Sequence, residues 1–218
     1  MKILLALPRT LWFCFRYLPL RQALKLPVWL APNVRVKHMW RGGIRLGKCS
    51  AGIVRIGFHE ADAVDVYSAH TILDIYPDGV VEFEADVHIG QGAIVCVKQN
   101  AKLATGRNFA ISGTTSIVCS KSISIGHDVQ FSWDTLVMDS DAHHILGADH
   151  TPMQNTAPVS IGNHVWIAAG CTLLKGTGIG NECVVAGNSL LNKKYDSNNV
   201  LIAGAPARII KTIGGWKL

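Results

Sequence analysis

Between Val159 and Asn192 the chain reads VSIGNHVWIAAGCTLLKGTGIGNECVVAGNSLLN, and Ile161, Ile167, Leu173, Ile179, Val185 and Leu191 recur at a strict step of six. A second register, offset by four, carries Val165, Cys171, Thr177, Cys183 and Ser189, all small or β-branched. Neither a helix nor a simple alternating strand has this period. A large apolar and a small residue once per hexad are the signature of a parallel β-helix, in which three hexads make one triangular coil of 18 residues. Ile161 is therefore expected to stack on Ile179 and Ile167 on Val185, one inter-strand spacing of about 4.8 Å apart. Gly162, Gly180 and Gly187 suit turns that need unusual backbone angles or close approach.

Upstream the hexads are less regular. They begin around Ile44 and Ile53, pass through IGFHEA at Ile56, depart between Asp74 and Gly79, and resume at Phe83, Ile89 and Val95. Ile125, Phe131 and Val137 lie 36 residues before Ile161, Ile167 and Leu173, which reads as two coils. From Asp139 to Pro158 (DSDAHHILGADHTPMQNTAP) no apolar period survives. Both flanks keep the same phase, so this segment is expected to leave the prism as a loop and return. Loops on a rigid scaffold are where such folds place chemistry.

The 218 residues, 49% of them hydrophobic, suit one domain with a large core. Net charge is +6, but unevenly spread: residues 1–59 hold eleven Lys and Arg and no acid, while 60–218 hold ten basic and fifteen acidic residues. The six cysteines show no CxxC or metal-ligand spacing and read as reduced core thiols of a cytoplasmic protein, ahead of disulfide or zinc readings. Residues 1–32 mix Leu, Trp and Phe with Arg9, Arg16, Arg21 and Lys25, cut by Pro8, Pro19 and Pro27. Their apolar runs are too short to span a bilayer and have no signal-peptide cleavage site. Two readings fit them: a basic amphipathic segment in contact with an anionic membrane surface, or a helix and hairpin capping the open end of the solenoid. Nucleic-acid binding fits so apolar and aromatic a segment poorly.

The hexads, with IGNHVWIAAGCTL, MDSDAHHI and the closing AGAPARIIK, resemble the hexapeptide-repeat acyltransferases across about residues 44–211. The resemblance implies an all-β, left-handed parallel β-helix with a short N-terminal helical or hairpin cap and an extruded catalytic loop. It divides the chain into a basic N-terminal segment (1–43), the β-helix (44–195, with loop 139–158) and a C-terminal tail (196–218). It also implies a homotrimer with active sites at the subunit seams, acetyl-coenzyme A as donor, no metal, and a sugar hydroxyl as acceptor.

Carried onto this sequence, the general base is His143 in the D-x-D-x-H setting Asp139–His143. Imidazole can take the proton of a poorly nucleophilic hydroxyl as it attacks a thioester, with Asp141 or Asp139 fixing the tautomer. Spacing does not choose between the aspartates, and His144, where the family often has proline, competes with His143. For the donor, the matching positions are Trp166, Ala168, Ala169 and Gly187, with the Ala169 amide aimed at the oxyanion. Lys193, Lys194, Arg208 and Lys211 would meet the nucleotide phosphates. Trp133, Asp134, His144 and Thr114 are the acceptor-site candidates. Competing functions are an amino-sugar N-acetyltransferase, a non-catalytic scaffold and a zinc carbonic anhydrase on the same fold. The last needs two histidines five positions apart, and no H-x4-H occurs; His70 and His88, 18 apart, lack an evident third partner.

Overall fold

The structure is a computed structural model that describes residues 2–58 and 69–217. Three parallel sheets form the walls of a prism, and each turn of the chain adds one strand to each wall in succession. Among the described residues, the parallel strands of the first sheet run from Val28–Leu30 to Val200–Gly204, with Ala207–Thr212 added antiparallel at its end; the second sheet runs from Arg35–Lys37 to Leu190–Leu191 and the third from Ile44–Leu46 to Lys194–Tyr195. The expected stacking is observed: Ile161 pairs with Ile179, Ile167 with Val185 and Leu173 with Leu191.

The two registers divide the interior between them. The large hexad residues fill the prism, and Val165, Cys171, Thr177, Cys183 and Ser189 are buried at its corners. Buried hydroxyls need partners, and here Thr177 Oγ1 donates to the Leu191 carbonyl (3.0 Å) and Ser189 Oγ to that of Ala186 (2.6 Å). All six cysteines are free thiols. At the edge joining the third sheet to the first, the Asn181 side-chain oxygen accepts the N–H of Asn163 (2.7 Å), and that of Asn198 accepts the N–H of Asn181 (2.7 Å). A Cβ on Gly162 would come within 2.7 Å of the Gly180 carbonyl oxygen, so this edge requires glycine for close approach rather than for an unusual φ.

Several expectations need correction. The first coil opens at Val28, inside the segment read as preceding the repeats, and Val28–Leu30 pairs with Val54–Ile56. Residues 74–79 make no departure: Ile72–Ile75 is a strand of the second sheet, and Tyr76–Gly79 is an ordinary corner turn. The IGFHEA hexad runs on from Ile56 into residues outside those described. The 36-residue spacing is one coil, since Ile125 pairs directly with Ile161, Phe131 with Ile167 and Val137 with Leu173. The inserted loop is about as long as a coil, so length alone could not tell the two apart.

The N-terminal cap is helical. Helix α1 (Lys2–Tyr17) buries Ala6, Thr10, Phe13 and Cys14 along one stripe at helical spacing, followed by Leu18. Thr10 Oγ1 accepts the Leu30 N–H (3.1 Å) and Cys14 Sγ donates to the Val28 carbonyl (3.4 Å), so the helix pairs polar groups of the first strand. A short helix α2 (Leu20–Ala23) follows. The hairpin lies at the other end, where Ala207–Thr212 pairs antiparallel with Val200–Gly204.

Candidate active site

The segment leaving the prism after Leu136–Met138 returns at Val159–Ile161, on the edge between the second and third sheets. It is an arm whose outgoing and returning limbs are joined by isolated bridges. Ser140 bridges Thr156 and Leu146 bridges Pro152, both antiparallel, and the Asp141 N–H donates to the Asn155 carbonyl (2.8 Å). Asp139 anchors its base: fully buried, its carboxylate accepts the backbone N–H groups of Ser120 (2.6 Å), Lys121 (2.8 Å) and Ser122 (2.6 Å). Burial, reinforced by this carboxylate, pushes the adjacent Cys119 thiol up to about 12, which makes it a packing group rather than a nucleophile.

Farther along the arm, Asp141 forms an ion pair with Lys175, whose ammonium also donates to the Gln154 carbonyl (2.7 Å). Both aspartates are thus engaged away from the imidazoles. His143 is exposed with no hydrogen-bond or ion-pair partner among the described residues, and His144 Nε2 lies 3.5 Å from Asn155 Nδ2. Ile145, Leu146 and Met153 are more than half exposed, an apolar surface on a polar arm.

The other candidates line the opposite edge of the second sheet, where it meets the first. Thr114, Trp133 and Asp134, Ala168 and Ala169, and Gly187 occupy this edge on successive coils. Bonds tie the column together: the Asp134 N–H donates to Thr114 Oγ1 (3.3 Å), the Gly170 N–H to the Trp133 carbonyl (3.1 Å) and the Asn188 N–H to the Ala169 carbonyl (2.9 Å). The N–H groups of Ala168 and Gly170 are used between coils, whereas that of Ala169 has no partner among the described residues. Trp166 stands on the outer face of the first sheet, its Nε1 donating to Ser132 Oγ (3.2 Å).

Within one protomer the structure does not join the two halves, because the second sheet separates the His143 arm from the Ala169 edge. The four basic candidates also divide. Lys193 and Lys194 lie at the start of the last strand of the third sheet, while Arg208 and Lys211 lie on the terminal strand of the first. A coil turns onto a new wall about every six residues, so neighbours in sequence part in space. Two residues of this region escape a reading by sequence. Lys175 meets Asp141 only because stacked coils place it beside the arm. Trp216 folds back over the first sheet, stacks on His164 at 4.7 Å and donates to its carbonyl (2.9 Å). Among the described residues no group of three or more His, Cys, Asp or Glu could hold a metal ion.

No family model matches the sequence. Over 143 residues the chain is 29% identical to the "Putative lipopolysaccharide biosynthesis O-acetyl transferase WbbJ" of Escherichia coli (strain K12), across 62% of this chain and 72% of that protein. It is 31% identical to the galactoside O-acetyltransferase of the same organism over 110 residues, half of this chain and 53% of the relative. The crystal structure of the polySia-specific acetyltransferase NeuO superposes with a TM-score of 0.66 at 20% identity, over 88% of this chain and 72% of that one. The chain is thus similar in sequence to these O-acetyltransferases and in fold to NeuO. Its prism is a left-handed parallel β-helix. Within this fold, the arm presents exposed polar groups and the Ala169 edge an open amide.

Proposed function

We propose that the protein is an O-acetyltransferase that moves the acetyl group of acetyl-coenzyme A to a hydroxyl of a saccharide destined for a surface polysaccharide or glycolipid. The observation that carries the reading is the placement of exposed His143 and the open Ala169 N–H on the two edges of one sheet. Around a threefold axis facing that sheet, the arm of one protomer meets the Ala169 edge of the next. The outer face of the second sheet suits such packing: Ile72, Ile94, Leu136 and Leu190, with Ser116 and Thr172 interleaved, form a half-buried and mostly apolar row, and the exposed Ile145, Leu146 and Met153 add apolar surface on the arm. The protein is accordingly a homotrimer with three seam sites, on the cytoplasmic side of a membrane.

In each seam His143 takes the acceptor proton as the hydroxyl oxygen attacks the thioester carbonyl. The Ala169 N–H donates to the oxyanion, and the imidazolium returns the proton to the departing thiolate. Asp139 and Asp141 act on this step by fixing the arm. Trp166, Ala168 and Gly187 border the donor, with Lys193, Lys194, Arg208 and Lys211 at its phosphates. Trp133, Asp134, Thr114 and His144 face the acceptor.

The test is release of free thiol from acetyl-coenzyme A with a panel of saccharide acceptors. His143→Ala is expected to lower turnover by about 10²–10⁴-fold and leave donor affinity nearly unchanged. Full turnover in His143→Ala would remove it as the base, and its loss in His144→Ala alone would move that role one residue on.

A further inference from the structure

The first helix uses only one side for the prism. While its inner stripe is buried, Leu4 (75% exposed), Leu5, Leu7, Leu11, Trp12 (50%) and Phe15 face outward, joined by Leu20 and Leu24 of the following turn. A surface helix of a globular protein normally shows polar residues on that side. So many contiguous apolar side chains exceed the scattered exposure usual at a protein surface. Apolar side chains on the outer side contribute nothing to packing on the first strand, whose polar groups are met by Thr10 and Cys14 on the inner side.

Charge selects the occupant. Arg16, Arg21 and Lys25 are exposed in and beside this surface, and no acidic residue occurs before residue 60. Arg16 lies 5.9 Å from the Tyr17 ring, and Trp12 packs edge-on to Tyr17 at 5.5 Å, so basic and aromatic groups sit at one level. Aromatic rings with a basic rim are what the boundary between headgroups and acyl chains favours. Beside the helix an apolar groove of about 300 Å³ is lined by Leu7, Leu24, Leu26, Trp29 and Phe58, with Lys25 at its border. Among the described residues no helix is long and apolar enough to cross a membrane, so the surface can lie in the interface without spanning it.

We propose that the outer face of α1, with the adjoining turn of Leu20–Lys25, docks the protein on an anionic lipid bilayer, and that the Leu7–Trp29 groove accepts part of a lipid acyl chain. The inference deepens the membrane-side location proposed above and does not depend on the transfer reaction. Intact protein is sedimented with vesicles of phosphatidylcholine alone and of equal parts phosphatidylcholine and phosphatidylglycerol. Binding is expected to the second and to be weak or undetectable with the first. It should fall at least tenfold in a Trp12→Ser, Phe15→Ser variant, and raising salt from about 0.1 M to 1 M should weaken it as the Debye length shrinks. An Arg16→Gln, Arg21→Gln, Lys25→Gln variant should lose the preference for anionic lipid. Because all five side chains are at the surface, thiol release with a soluble acceptor should persist in both variants; loss of vesicle binding with transfer intact separates docking from catalysis. Absence of binding to either vesicle, or binding unchanged in both variants, would overturn the proposal. So would a doubling of particle mass that the Trp12→Ser, Phe15→Ser variant abolishes, which would assign the face to a second copy.

Discussion

Asp139 and Asp141 stand two positions apart and do different work. Asp139 is an internal anion held by three amides, while Asp141 is a half-buried tether to Lys175. Removing the first leaves three part-buried donors without their acceptor, each costing about 1 kcal/mol or more. Asp139→Ala should therefore lower the unfolding free energy by roughly 3 kcal/mol or more, measured by urea denaturation, with Asp141→Asn costing much less. Equal losses from the two substitutions would refute the distinction. The sequence could not make it, since D-x-D spacing is the same whichever carboxylate turns inward. The amides of Ser120, Lys121 and Ser122 belong to the preceding coil, a contact visible only once coils are stacked.

At the scale of elements, arm and prism are separable. The strands on either side of the arm make their ladder bonds with neighbouring coils, as Val137 does with Leu173 and Ile161 with Ile125. The arm closes on itself at its base, where the Asp141 N–H reaches the Asn155 carbonyl. Replacing residues 142–154 with a short glycine linker should then move the melting temperature by no more than about 4 °C, while abolishing thiol release. Transfer that survived the replacement would show that the arm does not carry the base. This also explains what was legible in advance. Hexads report side-chain direction directly, so walls, corners and the existence of a loop were readable from 159–192. Coil number was not, because an insertion near 18 residues preserves phase. Nor was the start at Val28, whose strand is preceded and followed by prolines that mask its pattern. For the candidate site, resemblance supplied His143 and Ala169 as expectations. Their separation by a whole sheet needed the structure.

For the whole molecule, the proposed split of the site across a trimer seam has a consequence no single-protomer site shares. Under that proposal a His143→Ala chain lacks the base but has an intact donor edge, and a Gly187→Trp chain has the base but a blocked edge. Each should be inactive alone. Refolded together as mixed trimers, they should regain a fraction of wild-type turnover, because every mixed ring contains one seam with an intact arm against an intact edge. Persistent inactivity in mixtures shown by sedimentation to be trimeric would place both halves in one protomer.

The bonds from Thr10 and Cys14 to Leu30 and Val28 bear on more than the cap. A solenoid ends in bare strand edges, and a bare edge is a template onto which another molecule's strand can add. By occupying the Leu30 N–H and the Val28 carbonyl with side chains, the chain withholds part of that template on its first sheet, which disfavours the addition of another copy's strand there. One helix thus presents an apolar surface outward and guards a strand edge inward.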